Sequence, residues 1–338
     1  MPKISFIVAI YNVAEFIEEC VRSLMEQTLD DIEIVLVDDH SPDGCDDICR
    51  RVIEQYPQRK NQVKLIRHDV NKGAPQARRT GLDASTGKYL IFIDGDDFVD
   101  KNMAAIMYQK AVETGADHVL CDYQNFAGDE MMGVKKSILG EVVGDGWNVR
   151  NDIINRRTVP FLVGKALLRD LFDNELIWPT KHMGDDTVLS SELAFWGKKF
   201  VHVHQPLYYY RRNMQSVSKK DSVDACLQRR VDFMENVEHY IKFLEIHGVQ
   251  DEFGYGILTN KIRTKNRIFK LITIPKYRKL WLNTYPEVHK LIFWGSKYHK
   301  STIVDKVWIL SIVLGIFPLV LRIRNKKSTF IPRDEWFG

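Results

Sequence analysis

Lys88-Tyr-Leu-Ile-Phe-Ile-Asp94-Gly95-Asp96-Asp97 is a short apolar run that stops abruptly in three carboxylates around one glycine. Residues 88–93 carry the aromatic and branched side chains of a strand buried inside a parallel sheet. Gly95 lets the chain turn sharply just past the strand end. In open α/β sheets ligands bind at the C-terminal ends of the strands. Acids packed this closely repel one another unless a cation neutralises them, and hard divalent cations take carboxylate oxygens. Asp and Gly are also ordinary turn residues, so a solvated acidic turn explains the same four letters. The flanking sequence has to decide.

Working outward, strands and helices alternate. Lys3–Ile10, Ile32–Val37, Val63–Arg67 and His118–Tyr123 read as further strands. Helical spacing of apolar residues appears at Phe16–Leu24, Cys45–Gln55, Pro75–Leu82 and Asn102–Thr114. Such alternation predicts an α/β fold built from βαβ units around a mostly parallel sheet. No Gly-x-Gly-x-x-Gly follows the first strand and no P-loop occurs, so two common routes to phosphate binding are absent. Acids stand instead at two strand ends, Asp38-Asp39 and Asp94–Asp97. A carboxylate at the first end can accept hydrogen bonds from a base or ribose, or merely cap a turn.

Further along, Gly128–Gly133 reads as a hairpin or mobile loop, and Asp152–Asn155 as a short helix. Asp185 and Asp186 open a helix running to Trp196, where the macrodipole alone would favour acids. His202 and His204 share one face if Phe200–His204 is a strand. As metal ligands they would need a third, and a partly exposed sheet face is the simpler expectation.

With 338 residues, 45% hydrophobic and 28% charged, the chain has room for one large domain with an appendage, or for two. The net charge of +3 hides a division, because residues 251–338 hold 17 Lys/Arg against 6 Asp/Glu. That tail also contains the apolar run 307–321, followed by Arg322, Arg324, Lys326 and Lys327. A spanning helix needs ~20 apolar residues, and this run is short and broken by Pro318. A membrane-surface segment with a basic flank is expected, and a core or dimer helix is the alternative. Met1-Pro2-Lys3 leads straight into a strand, so no signal peptide is expected. Five cysteines without paired spacing favour reduced thiols in the cytoplasm.

Taken together along residues 3–220, these motifs resemble the inverting glycosyltransferases of family 2. The opening Ile7-Val-Ala-Ile-Tyr-Asn12 resembles that family's first strand, with Ala9 where proline is usual. Gln27-Thr28 and Ile34–Asp39 are similar to its next helix end and strand. Asn71-Lys-Gly73 with Ala77-Arg78 and Gly81-Leu82 follows the family's pattern, although Arg79-Thr80 replaces a common Asn. Asp94-Gly95-Asp96 looks like the metal-binding Asp-x-Asp. Gly184-Asp185-Asp186 is similar to the Gly-Glu-Asp of the catalytic base, with Asp185 replacing the Glu. Tyr208–Arg211 with Ser216 and Ser218 resembles the segment that closes the domain.

The resemblance implies a GT-A nucleotide-sugar-binding fold over 1–220, and beyond it composition and apolar spacing give a mainly helical, basic region over 221–338. It implies a donor site of Ala9, Tyr11, Asp39, Asn71, Arg78, Asp94, Gly95 and Asp96. Tyr11 would stack on the base, Asp39 would hydrogen-bond it, and Asn71 and Arg78 would lie along the base or phosphates. Asp94 and Asp96 would hold Mn²⁺ or Mg²⁺, and Asp186, or else Asp185, would be the base. Lys165 and Arg211 would meet acceptor or phosphate. The expected enzyme moves a hexose or N-acetylhexosamine, usually from a UDP-sugar, to a growing surface glycan or lipid-linked acceptor. It would work at the inner face of the cell membrane, without nucleic acid, its oligomeric state open. A nucleotidyltransferase would show a Gly-rich loop near residues 7–12, and a silent sugar-nucleotide-binding module would not need Asp96 and Asp186.

Overall fold

The computed structural model describes residues 1–127, 130–135, 153–154, 161–181, 183–211, 223–249, 251–266, 272, 275–295 and 303–317. The chain forms two compact units, Met1–Lys220 and Asp221–Gly338. In the first, strands β1 (Ile4–Ile10), β2 (Ile32–Asp38), β3 (Val63–Arg67) and β4 (Tyr89–Asp94) run parallel in the order β3-β2-β1-β4. Helices α1 (Ile17–Met25), α2 (Cys45–Glu54) and α3 (Ala74–Ala84) make the crossovers. Beyond β4 the sheet continues through β8 (Lys165–Leu168), β6 (His118–Ala127), β9 (Phe200–Arg211) and the two-residue β5 (Phe98–Val99). Strand β7 (Glu130–Lys135) hairpins onto β6.

Both faces of the sheet are covered, which is why its strands read as continuous apolar runs. Ile4, Phe6, Val8 and Ile10 of β1 point to a core with Val21 and Leu24 of α1 and Met103 and Met107 of α4 (Met103–Thr114). On the opposite face Ile7, Leu90 and Phe92 meet Leu189 and Leu193 of α5 (Asp185–Trp196). Helix α3 lies on that face too, and it lies close. A β-carbon on Gly81 would stand only 2.3 Å from Cγ2 of Ile7. Burying these side chains contributes roughly 25 cal/mol per Å² of apolar surface.

Two elements differ from the sequence reading. Lys165–Leu168 forms a strand, antiparallel to both β4 and β6, so the sheet is mixed. Its run is too short for periodicity to reveal. Strand β9 extends to Arg211, well past the expected His204. Pro206 sits where the β6/β9 register slips, so the ladder resumes beyond it. Of the expected 152–155 helix, Ile153 and Ile154 are described and helical, and the rest lies outside the described residues, as do Ser216 and Ser218.

The second unit contains α6 (Val223–Ile246), α7 (Gly254–Asn266), α8 (Pro275–Asn283), α9 (Glu287–Trp294) and α10 (Ile303–Val313). Ile309 and Ile312 of α10 are buried, whereas Ile303, Val307 and Leu310 are exposed. No described helix is long and apolar enough to cross a membrane. Residues 318–321 of the apolar run and Arg322, Arg324, Lys326 and Lys327 lie outside the described residues.

Candidate active site

The C-terminal ends of β1, β2 and β4 lie side by side and build one edge of the site. Ala9 pairs with Val37 on one side and Asp94 on the other. The amide of Gly95 donates to the Ala9 carbonyl at 3.2 Å. A β-carbon there would sit 3.1 Å from that oxygen and from Val13, so the approach needs glycine. Tyr11, on the loop after β1, leaves 44% of its surface open.

At the end of β2 the acids are consumed by the scaffold. Asp38 pairs with Arg67 and accepts the Ser41 amide at 2.9 Å. Asp39 accepts the amides of Lys72 and Gly73 at 2.8 and 2.6 Å, and its Oδ1 lies 2.7 Å from His68 Nδ1. Only 2% of Asp39 is exposed. The acid expected to read the base therefore holds the loop that carries Asn71, which is itself exposed.

Arg78 departs furthest from expectation. It is buried, and it reaches acids from two separate elements of this chain. Its guanidinium donates to Asp94 Oδ1 at 2.8 Å, pairs with Asp185, and stands 3.1 Å from Asp186 Oδ1. Burial opposes its charge, but Asp186, Asp185 and Asp94 together hold it firmly protonated. Burial and the neighbouring charges of Asp185 and Asp94 push the Asp186 carboxyl up to about 7, against the pull of Arg78 and Lys165. Burial likewise raises Asp185, which Arg78 opposes.

The other expected contacts are spent internally. Lys165 is buried with its Nζ 2.5 Å from Ser190 Oγ, and desolvation lowers it to about 7. Arg211 pairs with Glu19 and lies over the rings of Phe16 and Phe98, at 5.2 and 5.1 Å. Sequence reasoning passed over Asp97, although it closes the quoted acidic run. Its Oδ2 accepts from Tyr208 at 2.6 Å and its Oδ1 from the Arg211 amide at 2.8 Å. Burial, then Asp96 and Asp94, push its carboxyl well above the ordinary range. Trp178 was also missed, and with Pro75, Arg78 and Asp185 it lines a small cleft.

The acids after β4 fit a hard divalent cation. Asp94 and Asp96 offer half-buried carboxylates at a strand end, and their charges already drive Asp97 toward its neutral form. A different donor set, Asp122 with His202 and His204, brings its ligand atoms within 4.8 Å of one another.

The family model for glycosyl transferase family 2 matches residues 5–172. The uncharacterized glycosyltransferase EpsJ of Bacillus subtilis is 31% identical over 238 residues, 68% of this chain and 68% of that protein. The chain belongs to glycosyltransferase family 2. Glycosyltransferase GlyG of Streptococcus pneumoniae is 28% identical over 75% of this chain and 92% of its own length. A poly(ribitol-phosphate) beta-glucosyltransferase of Bacillus spizizenii is 30% identical over 62% of this chain and 32% of that one. Among solved structures, S. aureus TarS 1-349 in complex with UDP-GlcNAc aligns over 97% of this chain and 93% of its own, with TM-score 0.59 at 16% identity. The Pyrobaculum calidifontis mannosyltransferase PcManGT, in complex with GDP-Man and Mn²⁺, aligns over 96% and 88%, with TM-score 0.50 at 17% identity. The family 2 chain thus has the GT-A fold, an α/β architecture with helices in its C-terminal region.

Proposed function

We propose that this family 2 enzyme transfers a hexose or N-acetylhexosamine from a UDP-sugar to a hydroxyl of a surface glycan, with inversion at the anomeric carbon. One observation carries the reading: Arg78 draws the strand-end acid Asp94 and the helix-start acid Asp186 onto a single guanidinium. The open face of Tyr11 stacks on the base, and Asp39 fixes the 71–73 loop beside it. Asp94 and Asp96 hold Mn²⁺ or Mg²⁺, which when bound neutralises charge developing on the diphosphate. Asp186 takes the proton from the attacking hydroxyl, and a carboxyl poised near 7 suits a general base at neutral pH. Asp185, locked to Arg78, orients Asp186 and the acceptor. A base and a leaving group on opposite sides of one carbon permit a single displacement, so configuration inverts. The glucosyltransferase acting on poly(ribitol phosphate) supports a polyol or glycan acceptor.

The test is release of nucleoside diphosphate from a panel of sugar nucleotides, with and without Mn²⁺, in the presence of polyol and glycan acceptors. Acceptor-dependent release from one UDP-sugar is expected. Tight binding of a sugar nucleotide without turnover would make the chain a silent binding module instead.

A second reading concerns location. Ile303, Val307, Leu310 and Leu314 are exposed on or just after α10, within the basic C-terminal region. That combination supports peripheral docking on the anionic inner face of the cell membrane. Leu310→Glu with Leu314→Glu should abolish co-sedimentation with anionic vesicles. Sedimentation unchanged by both charges would remove the membrane from the account.

A further inference from the structure

Strands β6 and β9 run parallel with regular register from His118↔Phe200 to Cys121↔Val203, and then the register breaks. The next partners are Asp122↔Pro206, so His204 and Gln205 are extra residues on one side of the ladder. Before the break, Val201 and Val203 face the core that contains α4; after it, Leu207, Tyr208 and Tyr210 belong to that core. The bulge thus switches which residues of β9 point inward. It leaves His202 and His204 together on the opposite face, beside Asp122 of β6, which also points away from that core. Bulges recur where a strand must re-aim a side chain.

The side chains converge there. His202 Nε2 lies 2.8 Å from Asp122 Oδ1, and both residues are buried. The rings of His202 and His204 have centroids 4.2 Å apart. His204 is exposed, so the group has a dry floor and an open mouth. We propose that Asp122, His202 and His204 form a transition-metal site that takes Zn²⁺ or a similar borderline cation. Two imidazoles and one carboxylate are the donors Zn²⁺ prefers, and a site with three protein ligands leaves one position for water. Tetrahedral bonds of about 2.0–2.1 Å need donors about 3.3 Å apart. The present spread of at most 4.8 Å closes by rotation of the exposed His204, without moving the sheet. The softer nitrogen donors set this group apart from the all-oxygen pair Asp94 and Asp96, which suits Mg²⁺ or Mn²⁺.

The full chain, stripped with chelator and dialysed, would be titrated with Zn²⁺ by calorimetry and with Co²⁺ by visible absorption. One ion per chain is expected, with Co²⁺ showing the ligand-field bands of a nitrogen-containing site of low coordination number. His204→Ala should lower Zn²⁺ affinity at least tenfold, and Asp96→Asn should leave it as in wild type. Because His204 is exposed, its metal-free melting temperature should match wild type, while the Zn²⁺-induced rise disappears. Asp122→Asn should lose the ion as well. An equal Zn²⁺-induced rise in wild type and His204→Ala overturns the site. So does Zn²⁺ binding that follows Asp96 instead of His204.

Discussion

Strands β2 and β4 end in the same way in the sequence, a branched apolar run followed by clustered aspartates, yet the two ends do opposite things. At the end of β2 the carboxylates are buried and met from inside, by Arg67, His68 and the amides of Ser41, Lys72 and Gly73. At the end of β4, Asp94 and Asp96 are half-buried, Arg78 meets Asp94 at Oδ1, and burial with the charges of Asp96 and Asp94 drives the next acid, Asp97, toward its neutral form. An acid surrounded by donors from its own chain is a structural anchor. One surrounded by other acids, with an opening to solvent, is set up for a cation and a ligand.

The largest expected effect falls on the base we propose, Asp186, which shares Arg78 with the second end. Asp186→Asn should lower kcat by ~10²–10⁴ with donor affinity kept. In the wild type, kcat/KM should fall as pH drops below about 7, because the base must be deprotonated to act. A pH profile flat from 5 to 8 would take Asp186 out of that role. Next comes the metal. Asp96→Asn should abolish the stabilisation of the protein by UDP with Mn²⁺ while leaving the ligand-free melting temperature unchanged, as thermal shift would report. Equal UDP binding in EDTA would erase the contrast between the two strand ends.

The anchor should respond in stability. Asp39→Asn keeps one acceptor oxygen and turns the other into a donor, so one amide of the 71–73 loop loses its partner, at a cost of about 1–3 kcal/mol in urea unfolding. Wild-type stability with lost donor binding would make Asp39 a ligand contact first. A separate, pH-dependent effect concerns a third kind of acid, Glu192, which is fully buried and accepts from the Ile177 amide at 2.8 Å. Desolvation raises it to about 9, against that one hydrogen bond. Since the folded value lies above the unfolded one, its contribution is fully present below about pH 4.5 and is lost progressively toward 9. Glu192→Gln should therefore gain relative to wild type by up to ~1.4 kcal/mol per pH unit across that window. Parallel stability curves for the two proteins would show that Glu192 is ionised where it sits.

Much of the frame was legible because burial on both faces writes a strand as an apolar run, and acids at its end mark the ligand edge. β1 to β4 and their crossover helices follow directly from that pattern. β8 did not, because a four-residue antiparallel insertion has no period of its own. The candidate residues were legible as types but less so as tasks. Arg78, Lys165 and Arg211 are long cations, and sequence invites an outward reading of each. Folding turns all three toward partners in this chain, and only coordinates reveal which carboxylate or hydroxyl is in reach. Asp97 differs from Asp94 and Asp96 in its burial and in the partners that burial brings, properties no single letter carries.

The closeness of α3 to β1 has a consequence of its own. The hydrogen atom at Gly81, where any other residue has carbon, sets the height at which this helix rides above the sheet, and Arg78 sits less than one turn away on the same helix. The reach of that guanidinium is therefore measured from Ile7, on a strand that supplies no acid to it. A methyl group added there would act as a shim, lifting the arginine and loosening its grip on Asp94 and Asp186 together. Residues that never meet a substrate would in this way hold a veto over the spacing of those that do.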